Sequence, residues 1–361
     1  MKDISTKLTQ TAKMIKTDLL QEIRALIVNA RSLASRNINT LQVLTNFEIG
    51  RKIVEEEQRG TQRAEYGKQI LKELAEKLCS EFGTGFSERN LRNMRKFYLV
   101  YKDRMEQIRQ TASAKSLDKS PPFKISWSQY VFLLGLKDAD IRSFYEIEAA
   151  ENSWTLPELT RQYNSGLYER LALSRDKKGV LKLAKEGQVI SKPQDVLKEP
   201  YVLEFLGIDE KAKYSESDLE TAIIDKIEHF LLELGKGFLF EARQKRFTFD
   251  EDHFFVDLVF YNRLLRCYVL IDLKIGKLTH QDIGQMQMYV NYFDRFVKTK
   301  MENPTVGIIL CQKKRDALVK ITLPQEANIH AKEYQLYLPS KELLKQKLID
   351  WTAEAGADNE A

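Results

Sequence analysis

The spacing of hydrophobic residues predicts a helical first half and a second half in which strands alternate with helices. From about 15 to 174, apolar residues recur every three or four positions, as in 18–27 and 66–78. From about 215 the pattern predicts a helix, three successive strands, a helix, a strand, and finally a short strand and a helix. These elements are predicted at 217–234, 238–249, 254–261, 266–274, 279–296, 306–311, 334–338 and from about 340. This order is typical of a mixed sheet flanked by helices.

Breaks in this pattern predict two domains. A chain of 361 residues is long for a single domain. Between 175 and 214, a charged run and the prolines Pro193 and Pro200 interrupt the periodicity, so we expect a connector there. The predicted organisation is an all-helical domain at 15–174, the connector, and an α/β (α+β) domain at 215–350.

Composition narrows the class of protein. With 30% charged and 43% hydrophobic residues the chain fits a globular protein, and it has no apolar run as long as a membrane span. The first residues lack the apolar core and cleavage site of a secretory signal. Scattered cysteines suit a reducing cytoplasm better than a disulfide framework; they are Cys79, Cys267 and Cys311. The histidines lack the paired spacing of zinc ligands. We therefore expect a cytoplasmic protein without a membrane partner.

Two of the predicted strands contain charged residues that apolar strands rarely tolerate. Asp257 lies inside the second strand, and Asp272 and Lys274 close the third. Because burying a charge is costly, such residues often have a function. Side chains alternate along a strand, so Asp272 and Lys274 share a face, roughly 7 Å apart. A short connection at 262–265 predicts an antiparallel hairpin, in which Asp257 and Asp272 converge.

Two neighbouring carboxylates and an ammonium group suit phosphodiester hydrolysis. Carboxylate oxygens are hard ligands of the kind that Mg²⁺ prefers. The ammonium group of Lys274 can orient an attacking water, lower its pKa, or stabilise negative charge that develops on phosphorus. The pattern therefore predicts a metal-dependent enzyme that acts on phosphodiesters.

These residues resemble the motif of the PD-(D/E)xK nucleases. Asp257 matches the acid of the first motif strand, and Asp272 and Lys274 match the (D/E)xK pair. Gln285 and Tyr289 match the QxxxY element of RecB-like members. The chain departs from the common pattern in two places, since Val256 stands in place of the nominal proline and an aspartate takes the position more often held by glutamate.

Glu220, in the helix before the strands, occupies the place of an additional acid found in many members of the superfamily. The resemblance implies a restriction-endonuclease-like core with Mg²⁺ or Mn²⁺ held by Asp257, Asp272 and Glu220. It also implies that Gln285 and Tyr289 shape the site and contact the substrate.

Over most of its length the chain also resembles a bacterial family of the YhcG type, in segments such as 47–50, 87–91, 127–128 and 307–311. Members join a helical, winged-helix-like N-terminal domain to a PD-(D/E)xK domain. The resemblance implies DNA as the substrate and a role in defence, restriction or DNA repair, with partner proteins of a defence system.

Each candidate residue also has a structural interpretation. Asp257 could form an ion pair with Arg243 or Lys245 in the interior. Ser217 and Glu220 have the spacing of a helix capping box. Gln285 and Tyr289, four residues apart on a helix, could form a packing face.

A second candidate surface lies in the helical half. Residues 66–104 read as a helix, a glycine-containing turn, and a helix that begins after Ser87. The second helix has an apolar stripe formed by Leu91, Met94, Tyr98 and Tyr101. Basic residues lie mostly off that stripe; they are Arg89, Arg92, Arg95 and Lys96. This pattern predicts a recognition helix that binds DNA, and the alternative is a solvated basic face. The net charge of +5 permits a nucleic-acid partner without requiring one.

The leading hypothesis is a Mg²⁺-dependent DNA endonuclease. The alternatives are a catalytically inactive nuclease-like module that binds DNA or protein in a defence complex, and a nuclease that acts on RNA. A homodimer would help to cut both strands of a duplex, because symmetry would supply two sites.

Overall fold

The computed structural model describes residues 38–58, 64–112, 122–174, 177–209, 213–249, 251–324 and 327–357. The helix predicted at 18–27 lies outside these residues. Contacts divide the chain into two compact units between Lys137 and Asp138. They group residues 138–174 with the sheet, whereas the sequence pattern groups them with the N-terminal helices.

The described part of the first unit consists of helices. They are α1 (38–58), α2 (Ala64–Phe82), α3 (Glu88–Ala112) and α4 (Trp127–Leu133), with a 3-10 turn at Thr84–Phe86 between α2 and α3. The helical prediction is confirmed here. No strand occurs among the described residues of this unit, so they do not contain the strands of a wing.

Aromatic and aliphatic side chains form the core of the first unit. Phe97 packs on Phe47 and Phe123, at ring-centroid distances of 6.0 and 4.9 Å. α1 approaches α3 closely at Gly50, where a Cβ would lie 2.1 Å from the Met94 carbonyl oxygen. Glycine is therefore required at position 50 for this packing.

The second unit begins with four helices: α5 (Ala139–Glu151), α6 (Leu156–Asn164), α7 (Leu167–Leu173) and α8 (Lys177–Glu186). Two of these helices begin with a side-chain N-cap. Asp138 accepts hydrogen bonds from the backbone of Asp140 and Ile141, and Thr155 forms a capping box with Glu158. Each cap satisfies amides that a helix N-terminus otherwise leaves without partners.

A six-stranded sheet forms the centre of this unit. Its strands are β1 (Tyr201–Val202), β2 (Phe238–Phe249), β3 (Asp252–Asn262), β4 (Cys267–Lys277), β5 (Val306–Lys313) and β6 (Ile329–Gln335). The strand order is β1-β6-β5-β4-β3-β2. β2, β3 and β4 pair antiparallel, and β4, β5, β6 and β1 pair parallel, which confirms the predicted mixed sheet. β1, within the predicted connector, is too short to have been recognised from its pattern.

Helices cover both faces of the sheet. They are α9 (Glu216–Asp225), α10 (Ile227–Leu234), α11 (His280–Tyr292) and α12 (Asp316–Thr322), whereas the last helix, α13 (Lys341–Ala357), packs against α7. Residues of α9 and α10, such as Leu219 and Phe230, bury one face of β4. Residues of α11, such as Met286, bury the opposite face. No helix within the described ranges is both long and apolar enough to cross a membrane.

Asn262 determines the turn between β3 and β4. Its side chain is fully buried, and its Oδ1 accepts hydrogen bonds from the backbone of Leu264 and Leu265, at 3.0 and 3.1 Å. Its Nδ2 donates to the carbonyl of Lys236 at 3.1 Å. Asn262 pairs with Cys267 across the hairpin. These hydrogen bonds fix the turn, and the turn sets which residues of β3 and β4 pair with each other.

A buried ion pair connects the helices after residue 138 to the sheet. Arg170 of α7 and Glu233 of α10 are both fully buried, with Nη1 2.5 Å from Oε1. The same Oε1 accepts a hydrogen bond from the Val202 amide of β1 at 3.0 Å. Burial alone would raise the pKa of Glu233, but the nearby cations, Arg170 first, outweigh it and lower the pKa to about 2. This pair explains why residues 138–174 belong to the compact unit of the sheet.

We expect Glu233→Gln to lower the free energy of unfolding by about 3–5 kcal/mol, because Arg170 would be left buried without its counter-charge. Urea denaturation at neutral pH measures the change. Glu228→Gln, an exposed substitution on the same helix, is the control and should change little.

The pH dependence provides a second measurement. The folded-state pKa of Glu233 lies below the unfolded value of about 4.3, so its contribution is present above that value and is lost as pH falls toward about 2. Glu233→Gln should flatten the loss of stability in that range. An equally steep loss in the variant would contradict this assignment.

Candidate functional site

The register of β3 and β4 brings Asp257 and Asp272 together. Leu258 pairs with Ile271, and the next two positions along the strands are 257 and 272. Backbone pairing ends there, and Asp257 Oδ2 accepts a hydrogen bond from the Leu273 amide at 2.9 Å instead. The Asp257 carboxylate thus accepts a hydrogen bond from the β4 backbone at the position where the backbone pairing of β3 with β4 ends.

Asp272 is the most buried acid of this group, with 2% of its surface exposed. Lys274 Nζ lies 2.9 Å from Asp272 Oδ2, so the two side chains form an ion pair. Burial, and then repulsion from Asp257, raises the pKa of Asp272 to about 7, although Lys274 acts against this rise. The site therefore contains two neighbouring acids whose mutual repulsion Lys274 offsets only in part.

Lys274 lies between two acids. Besides Asp272, its Nζ is 3.6 Å from Oε2 of Glu216, the first residue of α9. Burial acts to lower the pKa of Lys274, but the carboxylates, Asp272 first, raise it above its ordinary value. Glu216 also accepts a hydrogen bond from the Ile275 amide at 3.2 Å. Sequence reasoning missed Glu216, although it lies one helical turn before Glu220 and so shares its helix face.

Glu220 is buried and both of its carboxylate oxygens are occupied. Arg243 Nε donates to Oε1, and Gln244 Nε2 donates to Oε2 at 2.6 Å. The capping interpretation of Glu220 is wrong, because α9 starts two residues earlier than that capping box requires. Its capping box joins Ser215 and Asp218.

The ion pair considered for Asp257 is also not formed. Arg243 binds Glu220, and Lys245 lies 3.5 Å from Glu241. Asp257 instead accepts hydrogen bonds from the backbone amide of Leu273 and the side-chain amide of Gln244. Neither neutralises its charge.

Gln244 is a site residue that the sequence did not indicate. Its Nε2 donates to Glu220 and also to Asp257 Oδ1, at 2.6 and 3.0 Å. Its φ of 47° lies in the left-handed region, which is unfavourable for residues other than glycine. Such strain persists where surrounding contacts impose it, and it is common at functional sites. A glutamine in a strand carries no local signal for this conformation.

Gln285 and Tyr289 lie on α11 beside the two acids. Gln285 Nε2 donates to Tyr289 Oη at 2.6 Å. Burial, followed by the charges of Asp272 and Asp257, raises the pKa of Tyr289 to about 12. Tyr289 also packs edge-on against Phe247, with ring centroids 5.7 Å apart. The residue therefore belongs to the core as well as to the site.

The basic residues of α3 are mostly engaged by neighbours. Arg92 pairs with Glu88, Arg95 Nε lies 2.6 Å from Glu57 Oε2, and Lys96 donates to the Leu134 carbonyl at 2.6 Å. Arg89 is exposed. On the opposite side of α3, the predicted stripe is buried at three positions and half-buried at Tyr98, and Phe97 joins it; the buried members are Leu91, Met94 and Tyr101.

Within the described ranges, no cluster of three or more histidine, cysteine or acidic side chains has the geometry of a metal site. The pair Asp257 and Asp272 nevertheless fits a hard divalent cation. Mg²⁺ keeps several waters and is commonly held by one or two carboxylates together with substrate phosphates. The carboxylates of Asp257 and Asp272, which meet where the backbone pairing of β3 and β4 ends, meet that requirement.

Comparison with known proteins places the chain in a family. The YhcG PDDEXK nuclease domain matches residues 194–349, and the DUF1016 N-terminal domain matches residues 22–170. "Putative nuclease YhcG" of Escherichia coli strain K12 is 39% identical in an alignment 345 residues long, which covers 90% of this chain and 91% of that protein. This chain belongs to the YhcG family. The predicted family and its C-terminal PDDEXK nuclease domain are therefore confirmed.

Two solved structures share a smaller part with this YhcG-family chain. The crystal structure of a repair endonuclease from Pyrococcus abyssi has 18% identity and a TM-score of 0.24, and covers 36% of this chain and 50% of its own. The EndoMS-dsDNA2 complex has 13% identity and a TM-score of 0.25, and covers 37% of this chain and 50% of its own. At these TM-scores neither structure bears on function.

The start of α9 in this YhcG-family protein can be tested by a pair of substitutions. We expect Ser215→Ala to lower the free energy of unfolding by about 1 kcal/mol, because the cap of α9 is lost. Ser217→Ala, at an exposed position inside the helix, should stay within about 0.5 kcal/mol of the parent. Denaturant titration of both variants measures the difference, and a larger loss for Ser217→Ala would contradict this cap.

Proposed function

We propose that this chain is a Mg²⁺-dependent DNA endonuclease whose site is formed by Asp257, Asp272 and Lys274. The observation that carries the proposal is the opposition of two carboxylates across β3 and β4, with the Lys274 ammonium on the same strand. The match to a PDDEXK nuclease domain supports this assignment of the chemistry.

Asp257 and Asp272 are the proposed ligands of Mg²⁺ or Mn²⁺. Each belongs to a strand of the rigid sheet, so both carboxylates are held before any ligand binds. When bound, the cation would polarise the phosphodiester and favour a hydroxide nucleophile at neutral pH. Asp272 contributes a buried carboxylate beside Lys274, and Asp257 contributes a carboxylate oriented by the Leu273 amide.

Lys274 would act on the phosphodiester as a positive charge. Its side chain is 16% exposed, so it is confined by the fold but can reach a bound substrate. In that position it can orient the attacking water or stabilise the charge that develops on phosphorus. Gln285 and Tyr289 would complete the site wall and contact the substrate.

Glu220 fits a supporting role better than that of a ligand. It was predicted as a metal-binding acid, but Arg243 and Gln244 already occupy its two oxygens. In this proposal Glu220 holds Gln244, which in turn orients Asp257. Residues that orient ligands typically contribute 10–100-fold to metal affinity or activity, that is, about 1–3 kcal/mol.

Within the helical domain proposed at 15–174, the helices before residue 138 would form a winged-helix-like unit that binds DNA through α3. The exposed side chains of Arg89 and Arg92 support this role. The contacts of Arg95 and Lys96 with neighbouring elements would hold the helix in place. Defence, restriction or DNA repair is the proposed setting, and a homodimer would supply two sites for duplex cleavage.

We expect Lys274→Ala to reduce DNA cleavage by about 10²–10³-fold while DNA binding stays near the parent level, because the charge acts mainly on the transition state. Cleavage of duplex, nicked, branched and single-stranded DNA, with RNA as a parallel substrate, measures the effect and the preferred nucleic acid. Lys320→Ala removes an exposed lysine of α12 and is the control. Cleavage at the parent rate by Lys274→Ala would refute the mechanism.

Metal titration separates this proposal from an inactive nuclease-like module that only binds DNA or protein. We expect isothermal calorimetry with Mg²⁺ or Mn²⁺ to show binding that Asp257→Asn and Asp272→Asn each weaken at least about tenfold, because one carboxylate ligand is lost. Asp252→Asn, at an exposed position near the start of β3, is the control. Equal affinity in all four proteins, or no binding at all, would favour the docking module.

A further inference from the structure

Two exposed lysines lie side by side at the end of the sheet, beyond the proposed catalytic residues. Lys277 of β4 and Lys313 of β5 are direct partners in the parallel register. In the part of the chain that the structure describes, neither has a carboxylate within ion-pair distance. Nearby lysines do have acidic partners: Lys274 pairs with Asp272, and Lys314 with Glu199.

A bulge in β4 brings Lys277 to this position. Lys274 pairs with Cys311 and Lys277 pairs with Lys313, so β4 has one more residue than β5 over this interval. Without the extra residue, strand alternation would turn Lys277 to the face opposite Lys274. Gly276 adopts a φ of +95° within this bulge, a conformation that glycine tolerates and other residues rarely adopt.

The bulge therefore places both lysines on the face that carries the site. Alternation along β5 puts Ile309, Cys311 and Lys313 on one face, and the first two pair with Asp272 and Lys274. A Cβ built on Gly276 would meet no atom within 4 Å, so the surface beside the lysines is open. Bulges next to active sites commonly redirect a side chain in this way.

Two ammonium groups on neighbouring strands repel each other. Strands are spaced about 4.8 Å apart, and like charges at directly opposed positions destabilise a sheet. A phosphate group between the two lysines would remove this repulsion and accept charge-assisted hydrogen bonds from both. Because of the bulge, the steps from Lys274 to Lys277 span the same length of sheet as the two steps from Cys311 to Lys313, about 7 Å, which corresponds to about two nucleotides of rise along a DNA duplex.

We propose that Lys277 and Lys313 together bind a backbone phosphate of the DNA strand, about two nucleotides from the scissile phosphodiester. This inference rests on the proposed function, since it needs DNA at the site of Asp257 and Asp272. It adds a second contact between the protein and the DNA backbone, and this contact sets the direction in which the DNA strand leaves Lys274.

The test is DNA binding measured across a salt series. Fluorescence anisotropy of a labelled duplex would be recorded with the full chain carrying Asp257→Asn, which prevents cleavage, between about 50 and 200 mM salt. Lys277→Gln and Lys313→Gln are added together. A matched pair, Lys320→Gln and Lys347→Gln, removes the same charge from exposed positions elsewhere.

We expect the Lys277 and Lys313 double substitution to weaken binding at low salt and to make the slope of log K against log salt shallower by about 0.9, the value for one phosphate contact. The matched pair should keep the parent slope. The same slope in both double variants, with the parent still binding DNA, would overturn this inference and leave the proposed function intact. Failure of the parent to bind DNA would overturn both.

A thermal melt without DNA distinguishes a binding role from a structural one. Because the two lysines repel each other, their replacement should leave the Tm unchanged or raise it. A lower Tm in the Lys277 and Lys313 variant than in the matched pair would mean that these lysines support the fold, and it would also overturn the inference.

Discussion

The β3–β4 register is the constraint on which the candidate site depends. The buried Asn262 clamps the turn, and five residue steps along the hairpin the register places position 257 opposite position 272. A slip by one residue would turn one acid to the opposite face of the sheet, because side chains alternate along a strand. The proposed chemistry therefore depends on the side chain of Asn262, which lies about 17 Å along the extended strand from Asp257.

Departures from regular strand geometry concentrate around this site. Gln244 adopts a left-handed conformation, the backbone pairing of β3 and β4 ends at Asp257, and a glycine bulge interrupts β4 before Lys277. Each departure directs a polar side chain toward the candidate site, which the regular geometry of a strand would not allow. Natural proteins often break local rules at functional sites and rely on the surrounding fold to stabilise them.

The buried charges of this unit fall into two kinds. Arg170 and Glu233 are matched in charge and saturated with hydrogen bonds, and they join α7, α10 and β1. Asp257 and Asp272 carry the same charge, and Lys274 offsets them only in part. The first arrangement stabilises the fold, whereas the second leaves negative charge that a cation can satisfy. This contrast separates a structural ion pair from a candidate functional site in the same domain.

Local pattern was enough to predict much of this protein. The order of helices and strands predicted the mixed sheet. Strand alternation and the short 262–265 connection predicted the hairpin and the meeting of Asp257 with Asp272, because these two features depend on neighbours along the chain. The motif residues also indicated the family, which the comparisons confirmed.

Other features depended on tertiary contacts. The partners of Glu220, the roles of Gln244 and Glu216, and the pairing of Lys277 with Lys313 join residues on different strands and helices. The two-residue β1 has too few residues to show a period, and it exists because it pairs with β6. Hydrophobic periodicity reports which face of an element is buried, but it does not report which side chain of a distant element lies against that face.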